Sequence, residues 1–277
     1  MTNQLLAISF LSLCTLAGSL VPSAIAAPVR SGAVEAELIA TADEVVGGES
    51  VTVAIRLKAA EHWHVYWENP GDSGTPVKVT WDVPTSAKIG DLQFPVPKEY
   101  EIAGFVTYGH EGELFLLAEL KLAADIPVGT IIPMKARISW LACDPNRCVP
   151  GRADLSLSLK VTAGNPKPNR WTTKIQAAQA GLPAPIGGTA KVAGQSVTIE
   201  IPAKDLPKHS SAKPTAFFPA QSGVFKIGEP KPSVSIDGAG NVKIILEKET
   251  DSELPDEIRG VATFANHHPL MVKAAFK

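Results

Sequence analysis

Apolar and polar residues alternate along most of this chain. Val51, Val53, Ile55 and Leu57 interleave with Thr52, Ala54 and Arg56, and Leu155, Leu157, Leu159 and Val161 interleave with Ser156, Ser158 and Lys160. A period of two sets one strand face against a core and the other in water, the habit of antiparallel sheets. The same pattern predicts strands over 34–40, 63–67, 77–82, 113–121 and 135–141. Turn-forming runs separate them: Val46-Gly47-Gly48-Glu49, Asn69-Pro70-Gly71-Asp72-Ser73-Gly74 and Asp125-Ile126-Pro127-Val128-Gly129. Many short strands with regular turns predict a β-sandwich.

The alternation stops near Ala163. Gly164-Asn165-Pro166-Lys167-Pro168 has linker composition, and Trp171, Ile175, Ala178 and Leu182 then fall at helical spacing. Asn169 fits an N-cap and Gly181 a C-cap. Alternation returns over 197–201, 234–236, 242–246, 260–264 and 270–276. The expectation is an all-β protein of two antiparallel β-sandwich domains, 33–163 and 185–277, joined by a linker with a short helix over 164–184. Both are of ordinary domain size.

Composition narrows the function classes. Of 277 residues, 45% are hydrophobic and 19% charged, which supports a packed core rather than disorder. With a net charge of -2 and no basic block, the chain offers no footprint for nucleic acid or an anionic membrane surface. The 23 prolines disfavour a helical bundle. Residues 5–21 form an apolar run, and Ala24-Ile25-Ala26 has the small-x-small pattern of a signal-peptidase site. Residues 1–26 are therefore expected to be a signal peptide cut after Ala26. Pro22 and the short apolar core oppose an uncleaved anchor, and Leu13 before Cys14 opposes a lipoprotein. No other stretch approaches the ~20 apolar residues of a membrane span. A mature protein exported to an oxidising compartment, and not itself a membrane protein, would keep two cysteines, Cys143 and Cys148.

Those two flank Asp144-Pro145-Asn146-Arg147, a turn-forming run between predicted strands. Cysteines on facing strands can come within the ~3.8 Å between Cβ atoms that a disulfide needs. One reading is a structural staple, although so short a loop contributes only roughly 2 kcal/mol on the chain-entropy model. The other is redox exchange, because a loop-borne disulfide is open to an outside thiolate. Spacing alone leaves both open. If exchange occurs, Arg147 beside Cys148 favours its thiolate and Asp144 beside Cys143 disfavours the other, making Cys148 the attacking sulfur and Cys143 the resolving one.

A longer pattern surrounds the pair. It runs Trp63-His64-Val65-Tyr66-Trp67-Glu68-Asn69-Pro70-Gly71-Asp72-Ser73-Gly74, then Trp81, Phe94-Pro95-Val96-Pro97, Tyr108-Gly109, and Trp140-Leu141-x-Cys143 followed by Cys148-Val149-Pro150. This resembles the periplasmic N-terminal region of the DsbD/ScsB family, bacterial protein-disulfide reductases of which ScsB is associated with copper tolerance. The match covers about 33–163 and continues more loosely through Phe217-Phe218-Pro219 and Gly223. The resemblance implies an immunoglobulin-like fold, a redox-active pair at Cys143 and Cys148, thioredoxin-like periplasmic partners, and no cofactor. It implies a cover over the pair near Phe105 and Tyr108. The Asn69–Gly74 run is first of all a turn, and in a functional version Asp72 or Glu68 would line the cysteine site beside Arg147. Two departures accompany the resemblance. Four residues lie between the cysteines where many ScsB-type relatives have three, and the chain ends at Lys277 without membrane helices or a thioredoxin-like domain. The electron source is thus expected to be a separate membrane electron carrier.

Two other classes compete. One is a secreted interaction module with a structural disulfide. The other is a copper-binding or copper-tolerance protein in which His62 and His64, sharing a strand face, join the thiols. The mature chain has only Met134 and Met271, too few for a Met-rich copper site. His110 and His209 are isolated, and His267-His268 precedes Pro269 in a loop. No HExxH, phosphate loop or nucleophile–base motif is present.

Overall fold

The computed structural model describes residues 27–102, 104–206 and 213–277. The expected signal peptide, Cys14 and His209 lie outside the described residues. The first twelve strands are β1 (Val29–Ser31), β2 (Val34–Ala40), β3 (Glu44–Val46), β4 (Ser50–Ala59), β5 (His64–Gly71), β6 (Lys78–Asp82), β7 (Ala87–Ile89), β8 (Lys98–Ile102), β9 (Phe105–Glu111), β10 (Glu113–Leu122), β11 (Ile131–Cys143) and β12 (Cys148–Thr162). They build two sheets, one ordered β1-β2-β4-β10-β7 and one ordered β3-β12-β11-β5-β9-β8, with β6 also pairing with β11. Alternation decides which residues meet between them. Val53, Ile55 and Leu57 of β4 and Leu114 and Leu116 of β10 share one apolar cluster with Ile132, Met134, Ala136, Ile138 and Trp140 of β11.

The remaining elements are α1 (Thr172–Ala180), β13 (Ala184–Ala193), β14 (Ser196–Ile201), β15 (Pro214–Pro219), β16 (Ser233–Ile236), β17 (Val242–Glu247), β18 (Glu257–Phe264) and β19 (Leu270–Phe276). Hydrogen bonding joins the seven strands into one sheet, ordered β15-β18-β19-β13-β14-β17-β16. Val197, Ile199, Val242, Ile244, Ile258 and Val272 form its own apolar cluster. Strand β13 escapes the alternation rule because Gly187 and Gly188 interrupt it and it pairs in parallel with β19.

One sequence expectation is corrected here. Asn169 is not the N-cap: Trp171 holds that position without a side-chain cap bond. Asn169 lies two residues earlier, where its Oδ1 accepts from the Trp171 N–H at 2.9 Å and its Nδ2 donates to Ala40 O and Asp43 Oδ1. The helix itself is docked on the first half of the chain. Ile175 is fully buried against Ile39, Ala54 and Leu117 on the outer face of the first sheet, and Lys174 Nζ bonds Glu113 Oε2 at 2.8 Å.

The two halves also share a core. Phe218, Ala220, Ile227 and Val261 belong to the same apolar cluster as Trp67, Val106 and Tyr108.

Candidate functional site

The cysteines sit at the end of the long β11–β12 hairpin, whose register sets Cys143 directly opposite Cys148 with Cα atoms 4.0 Å apart. They are disulfide-bonded. Asp144 shapes the loop: its Oδ1 accepts from the N–H groups of Asn146 and Arg147 at 2.8 and 2.9 Å, and its own N–H donates to Arg147 O. This is the side-chain-to-backbone turn that Asp favours.

The two sulfur-bearing residues occupy different environments. Along β11, residues 131 to 140 alternate exposed and buried, with odd positions facing out. Cys143 is odd, yet fully buried. Opposite it, Cys148 is exposed. The difference comes from strand β5, which pairs with β11 only at Ala142 and Cys143 and sets His64 opposite Cys143. His64 and Tyr66, two residues apart on β5, share a face.

Three rings make the roof. The Tyr66 hydroxyl lies 3.1 Å from Cys143 Sγ and 4.0 Å from Cys148 Sγ. The His64 ring meets Tyr66 edge-on at 5.3 Å and stacks on Tyr100 of β8 at 4.6 Å. Two glycines make room. A Cβ on Gly74, which has φ +109°, would run into the Tyr66 ring. A Cβ on Gly109 would meet the backbone of Val65 and the His64 ring. Burial raises the Tyr66 pKa, so its hydroxyl keeps its proton at neutral pH. Burial lowers the His64 pKa against the pull of Glu111, favouring neutral imidazole. Burial and Glu111 push Tyr100 up to about 12.

Residues 35–160, which contain the hairpin and its roof, match the sequence family described as "Thiol:disulfide interchange protein DsbD, N-terminal". Among solved structures, the N-terminal periplasmic domain of ScsB from Proteus mirabilis aligns over 88% of this chain and 93% of its own, at 17% identity and a TM-score of 0.61. Residues 35–160 are a DsbD/ScsB-like N-terminal domain. The reduced DsbD N-terminal domain of Neisseria meningitidis covers 48% of this chain and 90% of its own at 17% identity, with a TM-score of 0.24. No curated protein matches the chain.

Within this DsbD-like domain the other candidates are dispersed. Arg147 reaches toward Asp144 at 3.8 Å and lies over the Trp63 ring at 5.6 Å. Glu68 faces Arg259 at 3.6 Å, and burial raises its pKa against that cation. Asp72 holds the start of β9, its Oδ2 accepting from Val106 N at 2.8 Å. Phe105 is half exposed at the tip of the β8–β9 hairpin. Tyr108 is a core residue, packed against Trp67 and Phe218. His62 and His64 do not share a strand face, because β5 begins at His64 and His62 sits in a turn at φ +68°. His62 is exposed beside Glu61 at 3.6 Å. No described group of three or more His, Cys, Asp or Glu side chains is placed to hold a metal.

Sequence reasoning missed Tyr66 and Tyr100 as site residues. Tyr66 could have been found from its period-two offset from His64. Tyr100 lies on a strand whose charged neighbours Lys98, Glu99 and Glu101 hide any alternation.

Proposed function

We propose that this protein is a periplasmic thiol–disulfide exchange module that relays electrons through Cys143 and Cys148. A separate membrane electron carrier or thioredoxin-like donor would supply them, and periplasmic thiol proteins would receive them. One observation carries this reading: a cross-strand disulfide with one exposed and one buried residue, and a tyrosine hydroxyl on the buried sulfur.

The chemistry follows from that asymmetry. A donor thiolate attacks Sγ of exposed Cys148, the S–S bond breaks, and Cys143 leaves as a thiolate. The Tyr66 hydroxyl is placed to donate to that thiolate, a charge-assisted bond that makes Cys143 the better leaving group. The donor's second thiolate then displaces Cys148, leaving the donor as a disulfide and this pair with two electrons. In the return direction Cys148 attacks an acceptor disulfide, and Cys143 resolves the mixed disulfide, restoring the bridge. No cofactor enters either half. Accessibility, rather than Arg147, is the main reason for assigning attack to Cys148.

Export fits this chemistry, since disulfides persist outside the reducing cytosol. Among the described residues no helix is long and apolar enough to cross a membrane. The full-length Cys143→Ser protein, incubated with a periplasmic extract, should accumulate a mixed disulfide through Cys148, and Cys148→Ser should trap much less. If neither variant traps a thiol protein and the wild-type bridge resists a reduced thioredoxin-like donor, the disulfide is a staple and the protein an interaction module.

A further inference from the structure

The hairpin that carries Tyr100 is weakly held by its own ladder. Strand β8 pairs only with β9. Strand β9 pairs with β5 at His64 to Tyr66 and again at Gly71, with the register broken between. The hairpin nevertheless stacks Tyr100 on His64, the residue that pairs with the buried cysteine.

The missing support comes from the second half of the chain. Asn69, buried inside the break in register, accepts from Gly71 N at 3.0 Å through Oδ1 and donates from Nδ2 to Pro219 O at 2.8 Å and Gln221 O at 3.4 Å. Gly71, at φ +93°, lies against Val106 O and Ile227, where a side chain would collide with both. The next residue, Asp72, exchanges two bonds with Val106: its N–H donates to Val106 O at 2.9 Å and its Oδ2 accepts from Val106 N at 2.8 Å. Phe218 meets Tyr108 of β9 edge-on at 5.1 Å. On the other strand, Lys231 Nζ bonds Glu99 Oε1 at 2.6 Å. Both strands of the hairpin are therefore tied to residues 218–231.

We infer that the second half of the chain holds the β8–β9 hairpin against His64, whose ring in turn meets Tyr66 at the buried sulfur, with Asn69 and Lys231 as positioning residues that keep Cys143 closed to reagents while Cys148 stays open. This gives the second half a role in directing attack to one sulfur, and that role rests on the exchange reading above. Cys143 occupies an outward-facing register position, so its burial depends on β5 and on what holds His64 and Tyr66 in place, not on the cysteine hairpin alone.

The test is the ratio of alkylation rates of Cys143 and Cys148 in the reduced full-length protein, using iodoacetamide as probe and peptide mass spectrometry as readout. Wild type should be modified first at Cys148. Asn69→Ala, which strands buried carbonyls, should raise the relative rate at Cys143 about tenfold. Lys231→Ala should raise it about threefold, as suits a partly exposed ion pair. The charge reversal Lys231→Glu with Glu99→Lys should return it to the wild-type value. Lys231 and Glu99 have side chains 51% and 38% exposed, so these variants report even where Asn69→Ala fails to fold. Ratios unchanged in the Lys231 variants, or a charge reversal that behaves like Lys231→Ala, overturn the inference. The ratio needs no protein partner, so it is read independently of whether wild type exchanges with thiol proteins.

Discussion

The hydroxyl of Tyr66 lies 3.1 Å from Sγ of Cys143, though 77 residues separate the two in sequence. It therefore attends the sulfur that solvent does not reach. A neutral donor held there does little for a disulfide and much for a thiolate, because hydrogen bonds to charged groups are roughly twice as strong as neutral ones.

Tyr66→Phe should accordingly slow reduction of the oxidised protein by dithiothreitol by about tenfold to a hundredfold, the loss of a bond to a charged group worth ~1.5–3 kcal/mol. The unfolding midpoint of the oxidised form should change little. An unchanged reduction rate would make the hydroxyl a bystander.

Gly74→Ala should move Tyr66 without touching a sulfur. The added Cβ meets the tyrosine ring, and φ +109° is a conformation that side chains resist. The expected cost is about 1–3 kcal/mol in urea unfolding, together with a slower dithiothreitol reaction in the same direction as Tyr66→Phe. A variant as stable and as reactive as wild type would show that the loop holding Gly74 does not set the tyrosine.

Stability should fall with acid. Burial, then the charge of Lys98, lowers the His110 pKa from 6.5 to about 4. The unfolded chain takes up this proton near pH 6.5 and the folded one only near pH 4. The contribution is thus complete above 6.5 and lost as the pH drops toward 4, amounting to about 3 kcal/mol. His64, lowered in the same direction, adds to the slope. Urea midpoints between pH 7 and 4.5 should decline less steeply in His110→Gln than in wild type. Parallel curves would rule out His110 as a source of the slope.

The proposed division into two domains meets its test in a fragment spanning 27–182. It keeps α1, whose Ile175 covers Ile39, Ala54 and Leu117, but loses Phe218, Ala220, Ile227 and Val261 from the core around Trp67 and Tyr108. It should be β-rich by circular dichroism and should unfold at lower urea than the full chain. A fragment without β structure would mean that the two halves fold only together.

Much of this protein is written locally. The alternation at Val51 to Leu57 locates β4, and the one between Ile132 and Trp140 faces it across the core. The run from Cys143 to Cys148 brackets a turn, and the Asp144 side chain bonds backbone two and three residues away. Such features depend on side-chain period and turn chemistry, which neighbours in sequence settle among themselves. Two of the strands that escaped notice lack that period: β13 is broken by glycine, and β8 is an edge strand rich in charge. What the sequence left open is which sulfur is hidden. Register alone turns both cysteines outward. Cys143 is covered because β5 joins β11 for two residues there, setting His64 opposite it and the Tyr66 hydroxyl on its sulfur, and Tyr100 backs His64 from a hairpin tied to the second half of the chain. Burial is a sum over contacts between segments far apart in the chain, as with the Asn69 bond that spans 150 residues, and no local period encodes that sum.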